Sequence, residues 1–220
     1  SSVKPIFTKD FNKIIRKIKR NFSYLEYFLG LGGIKTTIES DPSSFLSLPS
    51  SSAKNIDNLK TSGFGPIGIR TGGFDGSIGF NLDFSIYKYK TESQTIHINS
   101  QNVKVPSSYI DLTGCAISGD LLFRTTTKIQ FYTGFGLGFS INKISSNYIT
   151  NVSNSRKIDE FSLGLLWRIP FGLRYVKDSK SYFLEWWYQQ HYTDFSRDTS
   201  QTNKINQKFS LFVLGSGIAF

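Results

Sequence analysis

Long hydrophobic runs are absent from this sequence. A transmembrane helix needs roughly 20 consecutive apolar residues, and no apolar stretch in the 220-residue chain reaches that length. The longest candidates, such as residues 209–220, are too short. A protein that crosses a membrane with helices is therefore excluded. The slightly negative mean hydropathy, −0.21, argues only weakly against a membrane barrel, because barrel strands alternate apolar and polar residues.

Cysteine and histidine are scarce as well. The single Cys115 excludes an intramolecular disulfide, and no histidine or cation stands beside it in sequence to activate the thiol. We expect it to be a small buried or membrane-facing side chain. The only imidazoles are His97 and His191, which are too few for a specific metal site without a clustered partner. We therefore expect neither a metal nor another cofactor.

Charged residues make up only 19% of the chain, but they are unbalanced, with a formal net charge of +10. Half of that excess lies in residues 9–20, where six lysines and arginines stand against the single Asp10. The remaining cations are dispersed, without a recognition helix or a zinc pattern, so nucleic acid is not an expected partner. Residues 8–22 instead predict a basic amphipathic helix, which either lies on an anionic leaflet or docks at the mouth of the following fold.

Residues 128–142 contain the alternating pattern on which the prediction of the whole fold is based. Their odd positions carry mostly large apolar residues, and their even positions are small or polar, among them Gly134, Gly136 and Gly138. A period of two predicts a strand with one apolar face. In a soluble sandwich that face would be inside, and the glycines would be exposed without a reason. A barrel in lipid places the apolar face outside and lets the glycines line a narrow lumen.

The alternation recurs along the chain and predicts eight strands. Asp83, centred on the polar face of the third strand, would be costly in lipid and assigns that face to the interior. In the fourth strand Ile110 and Ile117 fall on opposite parities, which predicts a β-bulge between residues 114 and 119. Pro170 predicts a second bulge in the sixth strand. The predicted strands are residues 25–38, 63–71, 78–87, 108–123, 128–142, 160–175 and 182–191, and a last strand that ends at residue 220.

Long polar segments and short turns alternate between these strands. An even number of strands returns the chain to its starting side, so both barrel ends should share one side with the short turns, residues 72–76, 124–127 and 177–180. The chain thus predicts two units, a helical segment at residues 1–23 and a barrel at residues 24–220. The long polar loops, predicted to face the opposite side, are residues 40–62, 90–107, 143–157 and 194–206.

With these features the sequence resembles the small eight-stranded bacterial outer-membrane barrels of the OmpA and OmpX type. The resemblance rests on the eight alternating segments, on the loop and turn rhythm, and on the C-terminal Phe-Val-Leu-Gly-Ser-Gly-Ile-Ala-Phe. It implies an all-β, antiparallel, up-and-down transmembrane barrel that is exported across the inner membrane and inserted by the barrel assembly machinery. It also implies periplasmic termini and extracellular long loops. The residues that resemble an assembly signal are Phe212, Leu214, Ile218 and Phe220.

Inward-facing charges, Arg124 among them, are the candidate chemistry of the lumen. An eight-stranded barrel is only just wide enough for side chains, so interior ion pairs predict a filled lumen. Because the sixth and seventh strands are neighbours, we expect Glu185 to pair with Arg168 or Arg174. A narrow channel for ions or small solutes is the alternative. The predicted lumen charge network comprises Arg70, Asp83, Glu160, Arg168, Arg174 and Glu185.

The remaining functional hypotheses concern the outer end of the barrel. The polar, basic loops predict a structural and surface-interaction role, as an adhesin or binder of an acidic glycan, lipopolysaccharide or host protein. A lipid-modifying enzyme built on His191, with Asp194 and Ser196, is a third hypothesis, but no motif supports it, so we do not expect an enzyme. We expect the protein to be a monomer in outer-membrane lipid. The predicted basic contacts in the loops are Lys54, Lys60, Lys104, Lys143, Arg156, Lys157, Arg197 and Lys204.

Overall fold

The computed structural model describes residues 21–39, 55–98, 101–108, 110–146, 158–198 and 201–220. In these ranges no helix is long and apolar enough to span a membrane. The strands are β1 Phe22–Glu39, β2 Asn55–Asp75, β3 Ile78–Thr91, β4 Gln94–Ile98, β5 Gln101–Val105, β6 Asp111–Arg124, β7 Ile129–Ser146, β8 Ile158–Lys177, β9 Lys180–Asp198 and β10 Gln201–Ala219.

Eight of these strands close a barrel in the order β1-β10-β9-β8-β7-β6-β3-β2, and β4 and β5 form a separate two-stranded sheet. Every neighbouring pair in the barrel is antiparallel. The first and last strands meet, since the Ser23 amide donates to the Phe220 carbonyl and the Phe220 amide donates to Ser23. The all-β, eight-stranded, up-and-down architecture predicted from the sequence is thus confirmed.

The two faces of the barrel wall have opposite chemistry. Burial alternates residue by residue along the 14 residues of β3. Outward Phe80 is 54% exposed, whereas inward Asp83 is 1% exposed. The same parity holds in β7, where outward Leu137 is 62% exposed and inward Asn142 is buried, as predicted for residues 128–142. We call the outward large hydrophobic side chains of the eight barrel strands the apolar belt. A wall that is apolar outside and polar inside matches a lipid surround.

The bulge predicted between residues 114 and 119 is wrong. β6 pairs with β3 and with β7 in an unbroken register. Ile110 and Leu112 therefore lie on the inward side, where both are buried, while Ile117 faces outward. The prediction failed because it assumed a polar lumen throughout, whereas the lumen near β4 and β5 is apolar and accepts these side chains.

The predicted bulge at Pro170 is also wrong. The register of β7 with β8 is the same on both sides of it, from Thr133 opposite Phe171 to Gly136 opposite Arg168. Proline lacks an amide donor, and here that loss interrupts the ladder locally without adding a residue. Register shifts occur elsewhere in the described ranges: between Phe64 and Ile67 in the pairing of β2 with β3, at two places in that of β1 with β2, and near Asn203 in that of β9 with β10.

Several strands are longer than predicted, so the loops between them are shorter. Eleven of the 13 residues of the predicted loop at 194–206 are strand, because β9 ends at Asp198 and β10 begins at Gln201. Residues 55–62 belong to β2, and the predicted loop at 90–107 contains the β4–β5 hairpin. Beyond the apolar belt the outward face meets water and needs no apolar residues, so no regular alternation marks these segments. Residues 40–54 and 147–157 lie outside the described ranges, as does the predicted helix up to residue 20, while Phe22 opens β1.

Candidate functional site

The centre of the lumen is occupied by five buried charged side chains, Arg70, Asp83, Asp120, Arg168 and Glu185, which we call the central network. They come from five strands, β2, β3, β6, β8 and β9. The Arg70 guanidinium forms a two-pronged bond with Asp83, with Nε 2.8 Å from Oδ1 and Nη2 2.9 Å from Oδ2. It also donates to Glu185 from Nη1 at 2.6 Å and from Nη2 at 2.9 Å. One arginine thus links β2 with its neighbour β3 and with β9 across the lumen.

Arg168 extends the central network to β6. Its Nε donates to Asp120 Oδ1 at 2.7 Å, and its Nη2 donates to Asp83 Oδ2 at 2.6 Å and to the second oxygen of Asp120. Asp83 therefore accepts from two arginines that reach it from β2 and β8. Charge-assisted bonds of this kind are stronger than neutral ones and hold both partners in a fixed geometry.

Aromatic side chains complete the surroundings of the central network. Glu185 accepts from the Tyr132 hydroxyl at 2.5 Å and from the Trp187 indole. The Arg168 guanidinium carbon lies 4.3 Å from the centroid of the Trp187 ring, and that of Arg70 lies 4.6 Å from the centroid of the Phe183 ring. The flat faces of both guanidinium groups, which carry no hydrogen-bond donors, are thus covered by aromatic rings. The rings exclude water and stabilise the positive charges.

A second charged cluster lies nearer the short turns. Arg174 Nη2 donates to Glu26 at 2.8 Å, and the Ser181 hydroxyl donates to the same carboxylate. The Arg174 guanidinium carbon is 3.8 Å from the centroid of the Tyr24 ring and 5.2 Å from that of Tyr132. Its Nε and Nη1 have no hydrogen-bond partner within the described ranges, so ring faces replace hydrogen bonds on that side.

Glycines make room for these bulky groups. A Cβ at Gly136 would overlap the Asp120 carboxylate and lie 3.2 Å from Arg168 Cγ, and a Cβ at Gly172 would press on Glu185 Cγ at 2.6 Å. The glycine-rich inner face of β7 therefore fits a filled lumen, because a larger residue at Gly136 would displace the arginine or its partner.

The buried charges of the described lumen balance. The four cations and the four carboxylates sum to zero, although the whole sequence is strongly basic. Balance matters because a buried charge is tolerated only when it is paired and hydrogen-bonded. The cations are Arg70, Arg124, Arg168 and Arg174, and the carboxylates are those of Glu26, Asp83, Asp120 and Glu185.

The lumen changes character towards the β4–β5 hairpin. His191 is fully buried there, with its Nδ1 3.3 Å from the Tyr87 hydroxyl and its ring centroid 4.5 Å from that of Phe209. The side chains of Asp194 and Ser196 lie outside the described part, so the hypothetical catalytic arrangement is not defined. Beyond this layer the lumen is filled by the buried apolar side chains of Leu59, Val105, Ile110, Leu112 and Ile144.

The structure brings together most of the predicted lumen residues, but not with the predicted partners. The pairing of Glu185 with Arg168 or Arg174 is wrong, because Glu185 binds Arg70. The prediction considered neighbouring strands only, whereas Arg70 reaches Glu185 across the barrel. The Glu160 side chain lies outside the described part. Arg70, Asp83, Arg168, Arg174 and Glu185 are all buried in the lumen.

Two members of the lumen were missed by sequence reasoning, Glu26 and Asp120. Both stand at even positions opposite outward apolar residues, so the alternation contained the signal. For Asp120 the signal was hidden by the bulge wrongly predicted between residues 114 and 119. Within the described ranges no group of three or more histidine, cysteine or acidic side chains could hold a metal ion.

Most of the basic residues that were predicted to lie in loops lie in strands. Lys60, Lys143, Arg197 and Lys204 belong to barrel strands and Lys104 belongs to β5, so their assignment to loops is wrong. Strand extension beyond the apolar belt explains this difference. Lys54, Arg156 and Lys157 lie outside the described ranges. The residues that resemble an assembly signal, Phe212, Leu214, Ile218 and Phe220, all face outward.

No protein-family model matches the sequence, and no curated protein sequence is similar to it. Among solved structures the chain is similar to the Neisserial surface protein A, at 15% identity over 90% of this chain and 97% of that one, with a TM-score of 0.49. It is similar to the outer membrane protein OprG from Pseudomonas aeruginosa, at 13% identity over 91% and 95%, with a TM-score of 0.47. Ail, the attachment invasion locus protein of Yersinia pestis, shares 14% identity over 91% and 99%, with a TM-score of 0.40. The strand pairing itself, rather than these similarities, defines the architecture.

Proposed function

We propose that this chain is an integral barrel of the bacterial outer membrane whose lumen is closed and whose function lies at the surface end opposite the short turns. The observation that carries the proposal is the pairing of an apolar exterior with a lumen filled by a neutral charge network. The barrel then serves as a rigid support, and the strand extensions and the β4–β5 hairpin present the surface that meets partners.

The membrane placement is supported by the outward side chains. Exposed apolar residues lie on all eight barrel strands and surround the barrel. This continuous apolar area is far larger than the scattered apolar patches of a soluble protein. A closed barrel also leaves no sheet edge, and closed barrels and helices are the two architectures that satisfy the backbone in lipid. Small antiparallel barrels of this kind are typical of outer membranes. In that placement the two barrel ends at Ser23 and Phe220 face the periplasm.

The closed lumen is supported by its layers. A solute would have to pass the Arg174 cluster, the central network and the apolar layer around Ile110 in succession. Opening the central network would separate Asp83 from both arginines and leave charges unpaired in a low-dielectric interior, which is costly. The channel hypothesis is thus the weaker one. No contact in the described ranges supports the enzyme hypothesis, because the buried His191 imidazole is covered by Tyr87 and Phe209.

The proposal is tested first by insertion. The refolded chain in detergent should migrate faster on a gel when unheated than when boiled, and its circular dichroism should be that of β-structure. A helical spectrum without a mobility difference would overturn the proposed membrane barrel.

The surface role is tested by binding. Immobilised barrel is offered sulfated glycans and serum proteins, and the intact chain is compared with a variant that lacks residues 94–105. We expect an acidic partner to bind the intact chain and to lose affinity when the hairpin is removed. Failure of every acidic partner to bind a correctly inserted barrel would contradict the surface role.

A further inference from the structure

Three lysines from neighbouring strands stand side by side on the outer surface of the barrel. Lys35 of β1 is directly opposite Lys208 of β10 on one side and Lys60 of β2 on the other. All three are exposed and face outward. Directly opposed residues have Cβ atoms about 5 Å apart. We call Lys208, Lys35 and Lys60 the lysine row.

The charges of the row are of one sign and stand close together. Like charges directly opposite each other destabilise a sheet, and no residue of the row forms an ion pair within the described ranges. The backbone amide of Glu92 donates to the Lys60 carbonyl, and Glu92 forms no ion pair with the row in the described ranges. Elsewhere on the rim, Lys143 lies 3.0 Å from the Asp159 carboxylate.

The height of the row is the same on its three strands. The last large apolar outward side chains are Leu31 of β1, Phe64 of β2 and Phe212 of β10, and each lysine lies four residues farther along its strand. Four residues span about 13 Å of strand. With a tilt of about 40° this corresponds to roughly 10 Å above the apolar belt. The headgroup region of a leaflet is roughly 5–8 Å thick, and the long lysine side chains at this height can extend back to the phosphates.

We propose that the lysine row binds the phosphate groups of lipid in the outer leaflet, a site of phosphorylated glycolipid contact on the barrel wall. The inference rests on the proposed membrane placement and goes beyond it by naming a partner. Lipid phosphate fits better than a soluble sulfated glycan, because the side chains point sideways towards the surrounding lipid at headgroup depth. The bound phosphates supply counter-charge to the three ammonium groups, and they hold the barrel at a fixed depth in its leaflet.

The test compares two triple variants with the same loss of charge. The first is K35Q/K60Q/K208Q, and the control is K128Q/K177Q/K180Q, which removes exposed lysines at the short-turn end. Each refolded protein in neutral detergent is titrated with bisphosphorylated lipid A, with dephosphorylated lipid A and with a heparin fragment. A lysine close to an anionic surface contributes about five-fold in affinity. The first variant should therefore bind bisphosphorylated lipid A roughly a hundredfold more weakly than the wild type, and the control should bind like the wild type. Dephosphorylated lipid should not distinguish the three proteins.

The outcomes separate this inference from the membrane placement. If all proteins show heat-modifiable mobility and bind bisphosphorylated lipid A equally, the lysine row has no such role and the membrane barrel stands. If the first variant loses binding of a heparin fragment but keeps lipid A, the partner is a soluble polyanion and the proposal is overturned. If the wild type itself does not insert, both proposals fail together.

Discussion

Arg70 and Asp83 lie directly opposite each other on β2 and β3 and form a two-pronged ion pair that is shielded from water. Because Arg70 also binds Glu185 and Asp83 also binds Arg168, this pair is the centre of the largest charge network that crosses the lumen in the described ranges. The stability of the barrel should therefore depend on it more than on any exposed charge.

Removal of Arg70 should be strongly destabilising. Arg70→Ala leaves two buried carboxylates without their shared cation, which costs about 3–5 kcal/mol of the free energy of unfolding. Urea unfolding in lipid vesicles, followed by tryptophan fluorescence, measures the loss. The exposed Lys177→Ala serves as the control and should change the value by less than about 0.5 kcal/mol. Equal effects of the two substitutions would contradict the assigned role of the central network.

Added volume at Gly136 should displace the Arg168 pair. Gly136→Val places carbon atoms where the Asp120 carboxylate lies, and overpacking of this kind costs about 1–3 kcal/mol. Gly33→Val is the matched control, because a Cβ at Gly33 meets no atom within 4 Å. The fraction of protein that refolds to the heat-modifiable form should fall for the first variant only. A normal yield for Gly136→Val would mean that the lumen is not filled at this level.

The wall should be weakest between β1 and β2. Their pairing stops at Leu29 opposite Ile67 and resumes at Ile34 opposite Thr61. Residues 30–33 remain paired with β10 on their other side. Since successive residues of a strand direct their backbone groups to alternate neighbours, amides in 30–33 that face β2 should exchange with solvent faster than those that face β10. Residue-resolved hydrogen exchange measures this, and uniform protection across the segment would refute the gap.

The two histidines should differ in chemical reactivity. His97 in β4 is exposed, whereas His191 is fully buried beneath Tyr87 and Phe209. Diethyl pyrocarbonate should therefore modify His97 and leave His191 unmodified until the barrel is unfolded by heat. Mass spectrometry of the digested protein reads both sites in one sample. Equal labelling of both imidazoles in the folded barrel would indicate a water-filled lumen.

The sequence predicts the architecture because the alternation of side chains is a local signal. Asp83 and Phe80 indicated the interior and the exterior of the third predicted strand, and β7 kept the expected parity along residues 129–142. The strand ends were not predictable, since β9 and β10 extend beyond the apolar belt, where neither face needs to be apolar.

The partners inside the lumen were not predictable for a different reason. Arg70 and Glu185 are 115 residues apart and belong to strands that are not neighbours in the barrel. Their contact depends on barrel closure and on the angle between strands, which alternation does not encode. The inward position of Asp120 was accessible from parity, but the apolar Ile110 and Leu112 on the same face suggested a bulge instead.

Recording of the wild-type protein in a planar lipid bilayer tests the closed lumen most directly. The filled lumen predicts no discrete conductance steps in a bilayer where insertion is verified independently. Discrete steps in the wild type that disappear or change size when Asp83 or Arg168 is substituted would contradict it, because they would place the ion path through the central network.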